Sequence, residues 1–335
     1  MTDTLISSEV DLGRPGKQSG FLRVPHSVHR SAYGWIPVPV AIVANGDGPT
    51  VLLMAGTHGD EYEGQIALTK LVQELEPAHI RGRVIILTMA NFPAAEAGRR
   101  ISPIDDGNLN RTFPGDPRGG PTEMIAHYIE HVLMPPADYM VDLHSGGTSL
   151  FYPPTLLRGM GHNDEEAEKL KALQSAFDLP YAWVFTGGGG PKSTARTALG
   201  AANRNGVTGI MAELGGGGGI DRDILHLTER GLRRILHALD MLPGYRPDAE
   251  RGTRELNARG SVYADEAGLF EPFKGIADPV AKDETVGQIH YPETPWKSPS
   301  PVSSPSAGIV LCKRALGQVR RGDAVFPIAA DVGAG

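Results

Sequence analysis

The chain has one cysteine, Cys312, in 335 residues. A single thiol excludes an internal disulfide framework and a Cys-rich zinc site. Any metal must therefore be held by histidine and carboxylate. Positive charge is also short: 32 Lys and Arg stand against 39 Asp and Glu, a net charge of -7. That balance argues against nucleic acid or an anionic membrane as the main partner. No apolar run is long enough to span a bilayer. The opening MTDTLISSEVDLGRPGKQSG is polar, with early acids, unlike a signal peptide. The expectation is a cytoplasmic enzyme acting on a small molecule.

Glycine, in contrast, is abundant at 43 residues, and the excess is clustered at Gly187–Gly190 and Gly215–Gly219. Such clusters imply loops with unusual backbone angles or close backbone approach. The role of Gly187–Gly190 stays open, with a mobile lid as one reading.

The first part of the chain alternates strand and helix. IPVPVAIVAN (36–45) and TVLLMAG (50–56) read as strands around a G-D-G turn, and RVIILTMAN (83–91) as a strand buried on both faces. ADYMVDLHSGG (137–147) and GVTGIMAEL (206–214) are further strands. Helical spacing runs from Glu61, through 122–133, through 163–177 behind the cap Asn163, and onward from the cap Asp221. The alternation predicts an α/β fold, a mixed sheet flanked by helices, with ligands at the carboxyl ends of strands.

The alternation stops near PGYRPDAERG (243–252). We divide the chain into 1–245 and a β-rich 246–335. The second part holds an internal repeat, in which Val280, Asp283, Glu284, Val286 and Ile289 align with Val319, Gly322, Asp323, Val325 and Ile328. Two similar β-halves suggest a small C-terminal β-barrel or sandwich. The repeat resembles the biotinyl/lipoyl barrel family, although Asp283 stands where Gly322 predicts glycine. A carrier needs its lysine in a hairpin such as M-K-M. The candidate here is Lys297 in PWKSP, so a structural or homo-oligomeric role is expected instead.

Four segments carry chemistry. GTHGDEYEG places His58 and Glu61 where a strand ends and a helix starts. The pair suits metal ligation, but an acid at a helix entry is also ordinary dipole chemistry. DLHSGG ends another strand and brings His144 toward the same rim. Two imidazoles and a carboxylate leave zinc a position for water. SPIDDGNLNRTFPG (102–115) carries Asn110 and Arg111; it is either a solvated turn or a carboxylate-recognition loop. IMAELGGGGG puts Glu213 at the end of a buried strand. Partial desolvation there would raise its pKa toward a general base, unless it only turns the chain into the next helix.

In this order the four motifs resemble the succinylglutamate desuccinylase/aspartoacylase branch of the zinc carboxypeptidase superfamily. The likeness runs from Gly20 through the C-terminal repeat and is strongest to the ectoine-catabolism deacetylases. It implies a zinc-dependent amidohydrolase removing acetyl from N-alpha-acetyl-L-2,4-diaminobutyrate, or else another N-acyl-amino-acid deacylase. It implies one zinc per chain on His58, Glu61 and His144, with Glu213 as general base and proton shuttle. Asn110 and Arg111 match the pair that holds the substrate α-carboxylate. Arg100 matches the arginine that polarises the scissile carbonyl, with Arg99 as the neighbouring alternative. Relatives often carry D-x-N-R, whose Asp orients a zinc-binding histidine. This chain has Asn108 there, a neutral acceptor for the imidazole N–H.

Overall fold

The computed structural model describes residues 3–185 and 194–333. The Gly187–Gly190 cluster lies outside the described residues. The core is a large mixed sheet. Its centre is four parallel strands in the order Gly82–Leu87, Thr50–Ala55, Tyr139–His144 and Thr208–Gly216. Apolar runs specify them: every residue of Thr50–Ala55 is buried, as a strand covered on both faces requires.

Helices cover both faces. Tyr62–Glu74, Asp164–Phe177 and Arg222–Ala238 pack leucines and isoleucines on one side. Pro121–Tyr128 and Ala198–Arg204 cover the other. The expected caps are in place. Asn163 accepts the Glu166 N–H, and Asp221 accepts those of Asp223 and Ile224.

The strands flanking the G-D-G turn do not pair with each other. Gly82–Leu87 lies between Trp35–Asn45 and Thr50–Ala55, antiparallel to the first and parallel to the second. Gly82 permits the insertion. Its φ is +78°, and a Cβ there would lie 2.2 Å from the Pro49 carbonyl oxygen.

The sheet continues past residue 245. Arg254–Tyr263 pairs in parallel with Tyr181–Val184 and antiparallel with Ala324–Asp331. A second, four-stranded sheet runs in the order Ser300–Ser303, Thr285–His290, Gly268–Pro272, Gln318–Val319. The aligned repeat residues Val280, Val286, Ile289, Val319, Val325 and Ile328 share one core. The two halves also repeat one turn. Glu284 accepts the Ala281 N–H at 2.7 Å, and Asp323 accepts the Arg320 N–H at 2.9 Å. Asp283 and Gly322 hold positive φ, +63° and +89°. The aspartate thus keeps the glycine's left-handed conformation, which Asp tolerates better than most residues. Lys297 pairs with Glu266 at 2.8 Å and lies over the Tyr291 ring. Among the described residues no helix is long and apolar enough to cross a membrane.

Candidate metal centre and active site

Thr50–Ala55, Tyr139–His144 and Thr208–Gly216 run parallel, so their carboxyl ends share one rim. His58 and Glu61 follow the first, His144 ends the second, and Glu213 stands near the end of the third. Glu61 occupies the N-cap position of helix Tyr62–Glu74, yet its side chain makes no capping bond. It turns to the imidazoles. Its Oε1 lies 2.8 Å from His58 Nδ1, and its Oε2 lies 2.8 Å from His144 Nδ1. The two Nδ1 atoms are 3.2 Å apart. All three residues are buried, each at most 3 % exposed.

The far side of each ring faces an acceptor. His58 Nε2 is 3.1 Å from Asn108 Oδ1, and His144 Nε2 is 2.8 Å from Asp142 Oδ2. Neutral rings donating Nε2–H to these partners leave both Nδ1 lone pairs facing each other and the Glu61 carboxylate. Three lone-pair donors this close repel unless a cation sits among them. One tetrahedral zinc with bonds of about 2.0–2.1 Å would hold its donors roughly 3.3 Å apart. The donor set and its spacing therefore fit a metal ion, and His58, Glu61 and His144 form the candidate cluster among the described residues.

Electrostatics agree. Burial raises the Glu61 pKa, but the two histidines outweigh it and hold the carboxyl below its usual range. Burial lowers His58, partly offset by Glu61. Burial also opposes charge on His144, but Asp142 and Glu61 prevail and raise it well above the usual range. At His144 the pocket thus favours positive charge even when only a proton supplies it.

Glu213 pairs in register with His144. Burial, reinforced by Glu61, pushes its carboxyl up to about 8. Its Oε2 is buried with no partner among the described residues. A cavity of about 980 Å³ opens over these groups and is also lined by Arg100, Asn110 and Arg111. Arg99 does not line it; its backbone carbonyl accepts the Gly59 N–H instead. Arg100 Nη1 is 3.5 Å from Glu61 Oε1, and its side chain is half-exposed. Arg111 donates to the Asn110 carbonyl at 2.6 Å. Burial, then the neighbouring Arg100, lowers the Arg111 pKa. Asn110 Oδ1 accepts the Ala198 N–H at 3.0 Å, while its Nδ2 lies 3.5 Å from His144 Nε2. All seven residues singled out from sequence thus meet at one site.

Three contributors were not anticipated. Asp142 holds His144 and also accepts the Thr57 hydroxyl at 2.9 Å. The Ser145 N–H donates to Glu61 Oε2 at 3.1 Å. The alternation Asp142-Leu143-His144 was a readable signal, since residues two apart on a strand share a face.

Comparison with known proteins agrees with this geometry. Residues 47–239 match the family model for the succinylglutamate desuccinylase/aspartoacylase catalytic domain. The chain is 37% identical to the N-alpha-acetyl-L-2,4-diaminobutyric acid deacetylase of Halomonas elongata, over 97% of this chain and 94% of that protein. A product-bound structure of the ectoine utilization protein EutE (DoeB) from Ruegeria pomeroyi superposes with a TM-score of 0.92 at 34% identity, covering 98% and 100% of the two chains. A succinylglutamate desuccinylase/aspartoacylase structure from Rhodobacter sphaeroides gives 0.90 at 35% identity, covering 97% and 99%. With more than half its length matched by the family model and a relative 37% identical across nearly all of it, the chain belongs to the succinylglutamate desuccinylase/aspartoacylase family.

Proposed function

We propose that this chain is a zinc-dependent amidohydrolase that removes the acetyl group from N-alpha-acetyl-L-2,4-diaminobutyrate. The observation that carries the chemistry is the convergence of His58, Glu61 and His144 beside the half-buried Glu213. The substrate rests on the Halomonas elongata relative, matched across nearly the whole chain. His58, Glu61 and His144 would hold the zinc, which supplies a Lewis acid and lowers the pKa of bound water.

The chain's own groups do the rest. Glu213 takes a proton from the water that adds to the acetyl carbonyl, then returns it to the departing amine as the C–N bond breaks. Burial raises its carboxyl above the usual range, which helps it hold the proton between the two steps. Arg100 stabilises the charge that develops on the carbonyl oxygen. Arg111 and Asn110 hold the α-carboxylate and set the scissile bond within reach of Glu213.

Further readings accompany this one. Residues 1–245 form the catalytic domain, and 246–335 form a β-sandwich without a carrier role. Its support is one core beneath two sheets. The enzyme works in the cytoplasm on a small soluble substrate. A second reading, another N-acyl-amino-acid deacylase, is favoured by the family model and by the Rhodobacter sphaeroides structure.

The deciding experiment measures acetate release from N-alpha-acetyl-diaminobutyrate, its N-gamma isomer and acetyl-ornithine, with and without chelator. Preference for the N-alpha compound, lost on chelation, is the expected result. Equal rates on all three would move the assignment to the broader deacylase. Full activity after complete metal removal would overturn the metal site.

A further inference from the structure

Asp60 lies between the two candidate ligands of the H-x-x-E segment, and the proposed reaction gives it no role. It is 6% exposed. Its Oδ2 accepts two hydrogen bonds from Thr148, from the backbone N–H at 2.7 Å and from the hydroxyl at 2.8 Å. Its Oδ1 is buried and has no partner among the described residues. Gly147 makes the contact possible. Its φ is +53°, and a Cβ there would lie 2.6 Å from Asp60 Oδ2.

Thr148 belongs to the loop that leaves His144, and the first residue of that loop, Ser145, donates its N–H to Glu61 Oε2. Consecutive acids therefore grip the loop at two points, Glu61 near its start and Asp60 at its far end. We propose that Asp60 is a positioning residue that locks the His144 loop onto the His58–Glu61 loop and thereby sets zinc affinity. A carboxylate suits the task. Both bonds to Oδ2 are charge-assisted, and an amide in its place would put an unsatisfied NH₂ where the buried Oδ1 sits. A bare turn-forming role would not need the hydroxyl bond.

The inference rests on the metal-site reading, so the test reads zinc affinity directly. Zinc dissociation constants come from competition with a chromophoric chelator, for the wild type, Asp60→Asn, Asp60→Ala, Gly147→Ala and the Asp60→Ala/Gly147→Ala double variant. Melting temperatures of the metal-free forms are taken alongside. Asp60→Ala should bind zinc ~10–100-fold more weakly, the usual cost of losing a group that orients a ligand, with Asp60→Asn between it and the wild type. Gly147→Ala should also weaken binding. It should do so less in the Asp60→Ala background, where the colliding oxygen is gone. Metal-free melting temperatures should change too little to account for these losses. Zinc binding by Asp60→Ala within twofold of wild type would overturn the proposal. So would equal losses from Gly147→Ala in both backgrounds, or affinity losses matched by the loss of metal-free stability. A wild type that binds no zinc would sink the metal-site reading itself, a distinguishable failure. Should Asp60→Ala fail to fold, Asp60→Asn and Gly147→Ala still decide.

Discussion

His144 and Glu213 stand directly opposite each other in the register of two hydrogen-bonded parallel strands. Partners in register project from the same face of a sheet, so the candidate ligand and candidate base are fixed by the sheet rather than by a loop. The neutral, nearly isosteric Glu213→Gln should keep this geometry and lose the proton transfer. We expect kcat to fall ~10²–10⁴-fold, with zinc retained. Steady-state kinetics beside metal analysis check this. A fully active variant would end the assignment of Glu213 as base.

The two imidazoles have unequal support. His144 points Nε2 at the carboxylate of Asp142, while His58 points Nε2 at the amide oxygen of Asn108. A charged acceptor raises ligand basicity more than a neutral one. Asn108→Asp should therefore tighten zinc binding, and Asn108→Ala should weaken it by ~10-fold or more. Chelator competition measures both. Identical affinities across the three proteins would show that the acceptor at 108 does not tune the metal.

The candidate ligands were legible in the sequence because each marks a change of local structure. His58 and Glu61 straddle a strand end and a helix start, and His144 and Glu213 close apolar strands. Local patterns register such points. The alignment of the C-terminal repeat was legible too, although the turn that Asp283 and Gly322 share was not, since the aspartate read as a departure from glycine. What stayed hidden depends on which strands become neighbours. The bond from Thr57 to Asp142 joins residues 85 apart and exists only because Thr50–Ala55 and Tyr139–His144 pair. The insertion of Gly82–Leu87 beside Thr50–Ala55 has the same character. A G-D-G turn marks where the chain reverses and says nothing about which strand fills the space.

Among the described residues the Arg111 side chain donates to the Asn110 carbonyl and otherwise lines the cavity. Its planar fork suits a carboxylate held by two parallel bonds, which lysine does not reproduce. Arg111→Lys should raise KM by on the order of 10-fold, with a smaller effect on kcat. The same variant should discriminate less against acetylated amines that lack a carboxylate. Unchanged discrimination would place carboxylate recognition elsewhere.

Burial gives the metal-free protein a pH signature. The Glu213 pKa is raised in the folded state to about 8 from an ordinary 4.5. Folding therefore favours the protonated carboxyl. Its contribution is fully present below the lower value and is lost as pH rises through the upper one. His144, also raised, changes in the same direction in both proteins. Subtracting the two proteins leaves Glu213 together with its coupling to Glu61 and His144. Each pKa unit is worth ~1.4 kcal/mol. Chelator-treated wild type should accordingly lose several degrees of melting temperature between about pH 5 and 9 beyond what the variant loses. Thermal melts across that range are the check. Parallel curves would mean that the Glu213 carboxyl is not held in its protonated form in the metal-free protein.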